Sequence, residues 1–151
     1  MEPDPVEVFL AVYPAPIAGL ANGLRDAVRL AVPDAVERVR PGWRLIGYDV
    51  PQGRAKRYFA YVAPELEHVH LGFEYGVWLD DPQRLLEGEH LRLRKVRYLT
   101  YRPGDRPPER HVLGLVRQAA RVALLSRGER VSLALDREAA VANSRPRSGA
   151  R

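Results

Sequence analysis

The chain contains no cysteine. That excludes disulfide staples, thiolate metal sites and cysteine nucleophiles together. Hydroxyl nucleophiles are nearly as scarce. Thr100 is the only threonine, and the four serines (Ser126, Ser132, Ser144 and Ser148) all lie in the C-terminal quarter of the 151 residues. No glycine-rich loop of the phosphate-cradling kinds is present. Catalysis through Ser, Thr or Cys is therefore not expected, and acid–base work by His and carboxylate is the class left open. The adjacent Asp80 and Asp81 are its carboxylate pair, although a cap before Pro82 accounts for Asp81 without chemistry. No apolar run approaches the ~18 residues that a membrane span needs. The N-terminus, MEPDPVEVFLAVYPAP, is acidic and broken by prolines, unlike a secretory leader. A cytoplasmic protein without a membrane partner is expected.

The hydrophobic share, 46%, and the charged share, 28%, are those of an ordinary globular chain. The length suits one domain, read over residues 1–143, with 144–151 as a disordered basic tail. Lysine is almost absent, since only Lys56 and Lys95 occur, and arginine carries the positive charge. Three of the five surplus charges, Arg145, Arg147 and Arg151, fall in the last seven residues, so the body keeps a surplus of two. That balance argues against nucleic acid as the main partner.

The pattern along the chain alternates two periods. Asp4-Pro5 opens a helix with a cap and a first-turn proline. From Ile17 the series Leu20, Ala21, Leu24, Ala27, Val28, Ala31 makes an amphipathic helix that Pro33 ends. Residues 36–49, with Trp43, Leu45, Ile46 and Tyr48, read as a first strand region, and 55–62 as a strand aromatic on both faces. In the third strand Val69, Leu71, Phe73 and Tyr75 point one way; His68, His70, Gly72 and Glu74 point the other. Asp81-Pro82 repeats the helix-start signal, with a short helical turn expected before Gly88. The strand from Leu91 to Tyr101 changes parity near Arg94-Lys95, which calls for a bulge there or a strand that begins only there. A long helix with Val112, Leu115, Val116, Ala119 and Val122 follows Pro107-Pro108. Ser126 and Glu129 have capping-box spacing, and 127–143 is open between helix and strand. Clustered strands with short connections, flanked by helices, give an α+β fold: an antiparallel sheet of about four to six strands with the N- and C-terminal helices packed on one face.

At Phe73–Gly88 the chain spells FEYGVWLDDPQRLLEG, which resembles the YdhG-like family of bacterial domains of unknown function. LRDAVRLAVPDAVERV (Leu24–Val39) is similar to the family's first long helix with the proline and glutamate that follow, here Pro33 and Glu37. Arg94 falls at the family's basic-strand arginine, and RHVLGLVRQAARVAL resembles its closing helix. The likeness spans roughly residues 5–126. Where the family usually has a second glycine and a lysine, His90 and Leu91 stand. The resemblance implies a frataxin-like α/β sandwich, and iron handling in one branch.

The candidate site residues fall into two sets. Trp43, Tyr48, Tyr61 and Trp78, with Arg94 and Arg97 at a rim, are candidates for binding an anionic ligand or a protein, or for a homodimer surface. His68, His70 and Glu74 lie on one strand face, where imidazole and carboxylate suit zinc or iron, with His90 as a further donor. Carboxylates near the first long helix are interrupted by Arg25 and Arg29, so iron as a cofactor rests on the resemblance alone. The basic run 92–102, with Tyr98 and Tyr101 interleaved, offers an anionic-ligand or RNA surface as a further alternative. The expectation drawn from all of these is a non-enzymatic binding or adaptor module that uses the sheet face opposite the helices, with a frataxin-like iron-binding chaperone as its rival.

Overall fold

The Asp-Pro signal at the N-terminus works as its chemistry dictates: Asp4 Oδ1 accepts the Val6 N–H at 3.0 Å and starts a one-and-a-half-turn helix, α1 (Pro5–Leu10). The computed structural model describes residues 2–106 and 109–144. Helix α2 (Ala15–Ala31) follows, burying Ile17, Ala21, Leu24, Arg25, Val28 and Ala31 along one stripe. Five strands come next, β1 (Val36–Arg40), β2 (Leu45–Gln52), β3 (Ala55–Pro64), β4 (Val69–Phe73) and β5 (Arg97–Tyr101), then α3 (Glu109–Leu124) and α4 (Arg127–Ser144). Each strand pairs antiparallel with the next, in the order β1-β2-β3-β4-β5.

The architecture is the expected α+β fold with an open antiparallel sheet. Helices α2 and α3 pack side by side on one face, over Ile46, Tyr48, Val62, Val69, Leu71 and Phe73. Ile17 and Val28 of α2 and Val112, Leu115 and Val116 of α3 close that core from above. Helix α4 buries no residue and meets the body mainly at the 3-10 turn Gly76–Trp78. The capping box forms between α3 and α4: Glu129 N–H donates to Ser126 Oγ at 3.2 Å, and Ser126 N–H donates to Glu129 Oε1 at 2.9 Å. No helix among the described residues is long and apolar enough to cross a membrane.

Two local expectations change, and two alternatives left open are resolved. The first strand region is two strands, because Pro41–Trp43 forms a 3-10 turn and Arg44 takes a left-handed φ of 54°. The segment after Asp81-Pro82 is a turn rather than a helix. Asp81 ties it down, accepting Arg84 N–H at its carbonyl and Leu86 N–H at Oδ2, 2.8 Å away. Residues 127–143 are helical. The last strand begins at Arg97; before it lie a 3-10 turn at Glu89–Leu91 and Arg92 at a φ of 56°. The bulge is elsewhere: Tyr48 pairs with Ala60 but Asp49 pairs with Tyr58, so Phe59 is the extra residue in β3. The Pro107-Pro108 helix start lies outside the described residues, as does the tail, apart from Ser144, which ends α4.

One buried polar cluster locks α2 to the sheet edge. Arg25 donates from Nη2 and Nε to the two carboxylate oxygens of Glu37 at 2.7 and 3.0 Å, and from Nη1 to Asn22 at 2.7 Å. The hydroxyl of Tyr48, itself fully buried, donates to Glu37 Oε2 at 2.8 Å. Burial works to raise the Glu37 pKa, but the hydrogen bonds from Arg25 and Tyr48 outweigh it and the net shift is downward. A depressed carboxylate pKa means that the pair's stabilisation is complete above the unfolded value, about 4.3, and fades as pH falls through the lower folded value. Arg25→Ala, which leaves Glu37 and Tyr48 facing each other without a cation, is expected to cost about 3 kcal/mol in urea unfolding. Glu37→Gln should flatten the acid limb of the stability profile; an unchanged slope below about pH 4 would contradict the assignment.

Candidate binding face

Because α2 and α3 both lie on one side, no helix among the described residues lies over the opposite face of the sheet. The side chains there cover one another instead. Gly47 and Gly72 are mid-strand positions on this face, and each lies beneath a side chain from a neighbouring strand. A Cβ on Gly72 would stand 1.9 Å from the Tyr61 ring, so the phenol lies flat across that glycine. A Cβ on Gly47 would meet Arg40 Nε at 2.8 Å, so the arginine lies across that one.

The Arg40 guanidinium then sits between two rings, 5.2 Å from the centre of Trp43 and 4.8 Å from that of Tyr58. It also donates to Asp49 Oδ1 at 3.3 Å, while its buried Nε–H has no acceptor among the described residues. Trp43, on the 3-10 turn after β1, remains 61% exposed, so its outer face is free for a partner. Each such cation–π contact contributes about 0.5–1 kcal/mol at a partly wet site. Across the sheet, Tyr61 pairs with Gly72, and Gly72 with Tyr98, on the same face. Burial pushes the Tyr61 phenol up to about 12, with the Tyr98 and Glu74 charges adding to the shift. Beyond Tyr98 the row ends in His70, whose ring centre is 4.6 Å away, and His68.

The open face therefore carries rings from β3, β4 and β5 and from the turn after β1, with the Arg40 guanidinium between Trp43 and Tyr58 at one end and Tyr98, His70 and His68 clustered at the other. Arg38 and Lys56, exposed, stand at its β1–β3 end, and Lys95 pairs with Glu74 at 3.2 Å toward the other. It is a flat surface rather than a cup. A groove of about 680 Å³ exists, but on the helix side, between α2 and α3 and lined by Leu20, Leu24, Leu30, Tyr101 and Val112 among others.

Of the six residues expected to bind a ligand, the structure places only Trp43 and Tyr61 on this face. Tyr48 points the other way into the core, since the residue paired with it, Glu37, reaches Arg25 beneath α2. Trp78 packs under α4: Arg130 lies over the Tyr75 and Trp78 rings, 4.5 and 5.4 Å from their centres, and Arg137 donates to the Trp78 carbonyl. Arg97 is spent on the backbone, donating from Nη1 to the carbonyls of Leu93 at 2.7 Å and Val96 at 2.8 Å. Arg94 stands exposed on the loop before β5, so the basic run 92–102 is a loop joined to a strand and not one surface strand. In the second set His68 and His70 do meet, but Glu74 lies at the far end of β4, paired with Lys95. Among the described residues no three His, Asp or Glu side chains gather as a metal cluster, so His90 does not complete the set.

Comparison with family models, curated proteins and solved structures finds no match for this chain. The site therefore rests on its own geometry.

Sequence reasoning missed Arg40 and Thr100, placed Tyr98 only on the basic run 92–102, and read Tyr58 as part of a strand aromatic on both faces without fixing its face. The signal for Arg40 was present in the Arg38/Arg40 alternation of β1. Tyr58 was hidden by the bulge: 58 and 61 have opposite parity, yet the extra residue at Phe59 turns both tyrosines to the open face. Gly72→Ala is expected to cost about 2 kcal/mol by forcing the Tyr61 ring off the sheet. In a Tyr61→Ala background the same change should cost under about 1 kcal/mol. Additive costs in this double-mutant cycle would contradict the ring-on-glycine packing.

Proposed function

We propose that this protein is a non-enzymatic cytoplasmic binding or adaptor module, related to the YdhG-like domains, that works through the uncovered face of its sheet. The observation that carries this reading is the gathering of Trp43, Arg40, Tyr58, Tyr61, Tyr98 and His70 on one face that no helix among the described residues covers. Aromatic rings and arginine are the side chains that dominate binding energy where they can be desolvated by a partner. A flat surface of this kind favours a macromolecular partner with an acidic or aromatic patch over an enclosed small ligand. The exposed Trp43 ring, stacked on the Arg40 guanidinium, supports an anchor at the β1–β2 end.

The rival, an iron-binding chaperone, gains no support from the carboxylates at the end of the molecule where it would need them. Glu37 and Asp4 lie 2.7 and 3.8 Å from Arg25, and Asp26 lies 3.7 Å from Arg29. Cations already neutralise that cluster. Affinity capture from the source cytosol with three baits tests the binding reading: the parent chain, an Arg40→Glu/Tyr58→Ser variant, and Arg117→Glu on the exposed side of α3. A partner retained by the parent and by Arg117→Glu but lost from the open-face variant is expected. Retention of the same partners by all three would overturn the reading.

A further inference from the structure

His68 immediately precedes β4 and His70 is its second residue, so both imidazoles rise from the open face two positions apart. Their Nε2 atoms stand 3.2 Å apart, with ring centres at 4.6 Å. A collinear N–H···N bond of that length would set the ring centres about 5.5 Å apart. The nitrogen axes are therefore not collinear, so the contact is not an aligned N–H···N hydrogen bond. Two imidazole nitrogens bound side by side to one ion at the usual 2.0–2.1 Å would stand about 2.9–3.4 Å apart.

The surroundings prepare the same chemistry. Thr100 Oγ1 lies 3.1 Å from His70 Nδ1, and the edge of Tyr98 holds the ring from the side. With its proton on Nδ1 and donated to Thr100, His70 keeps the Nε2 lone pair facing His68, the tautomer that a metal ligand requires. Burial, with His68 beside it, lowers the His70 pKa. The carboxylates of Glu65 and Glu87 act on His70 in the opposite sense. They therefore favour a positive charge at this corner without being ligands. The polarity of the face reverses along its length, from Arg38, Arg40 and Lys56 at one end to two imidazoles with neighbouring carboxylates at the other.

We propose that His68 and His70 form a bidentate site for a borderline divalent transition-metal ion of the zinc, nickel or copper class, with Thr100 as a positioning residue. The other coordination positions are open to solvent or to a donor from whatever docks on the face, because no third protein donor completes the site among the described residues. The site goes beyond the adaptor reading and does not depend on it. Absence of metal binding in the parent chain removes only the metal proposal, and absence of partner capture through the open face, with metal binding intact, removes only the adaptor reading.

Calorimetric titration of the full, untagged, chelator-treated chain with zinc and with nickel tests the site. One ion per chain is expected, with binding lost in both His68→Ala and His70→Ala and unchanged in His90→Ala. Thr100→Val should weaken it about tenfold and Thr100→Ser should restore it. Urea midpoints measured on the same samples separate loss of ligand from loss of fold. No saturable heat with either ion, or binding that persists in both histidine variants, would overturn the proposal.

Discussion

The constraint on which this structure depends is that all of its core-forming helices lie on one side of the sheet. A five-strand meander has two faces, and helices α2 and α3 cover one of them. The alternation of the strands then has to serve two environments at once. Toward the helices it supplies Ile46, Val62, Leu71 and Leu99 as a row of paired aliphatic side chains. Toward the outside it supplies rings and charges that are neither fully wet nor covered by a second layer.

Two glycines decide how that outer face is finished. With no Cβ at Gly47 and Gly72, Arg40 and Tyr61 lie down on the sheet instead of standing away from it. The consequence is a low surface on which the guanidinium and the rings touch each other, with Asp49 beneath Arg40 as its counter-charge. Burying a charged group this way is tolerable because it is stacked and ion-paired. The same packing makes the surface stiff, so little side-chain entropy is lost when a partner covers it.

Much of the fold was legible in the sequence because the signals were local. The Asp4-Pro5 cap, the α2 stripe, the alternation of Val69, Leu71 and Phe73, and the Ser126–Glu129 box each depend on spacing within a few residues. The candidate site was less legible, for two physical reasons. One extra residue at Phe59 reverses parity within β3, and parity alone says which face a strand residue joins. Aromatic composition also does not say which layer an aromatic serves: Tyr48 looks like Tyr61 in sequence, but the Glu37–Arg25 pair draws its hydroxyl to the helix side. Trp78 is likewise claimed by α4, an element whose contacts no local pattern forecasts.

The central claim is that the uncovered sheet face is the working surface of the molecule. Oxidative footprinting of the chain inside an extract of its source cells, compared with the purified chain, tests it most directly. Trp43, Tyr58, Tyr61 and Tyr98 should be protected in the extract, while Tyr13 and Leu30 on the helix side label equally in both. Equal labelling of the open-face rings in the two samples, or protection confined to the helix side, would contradict it.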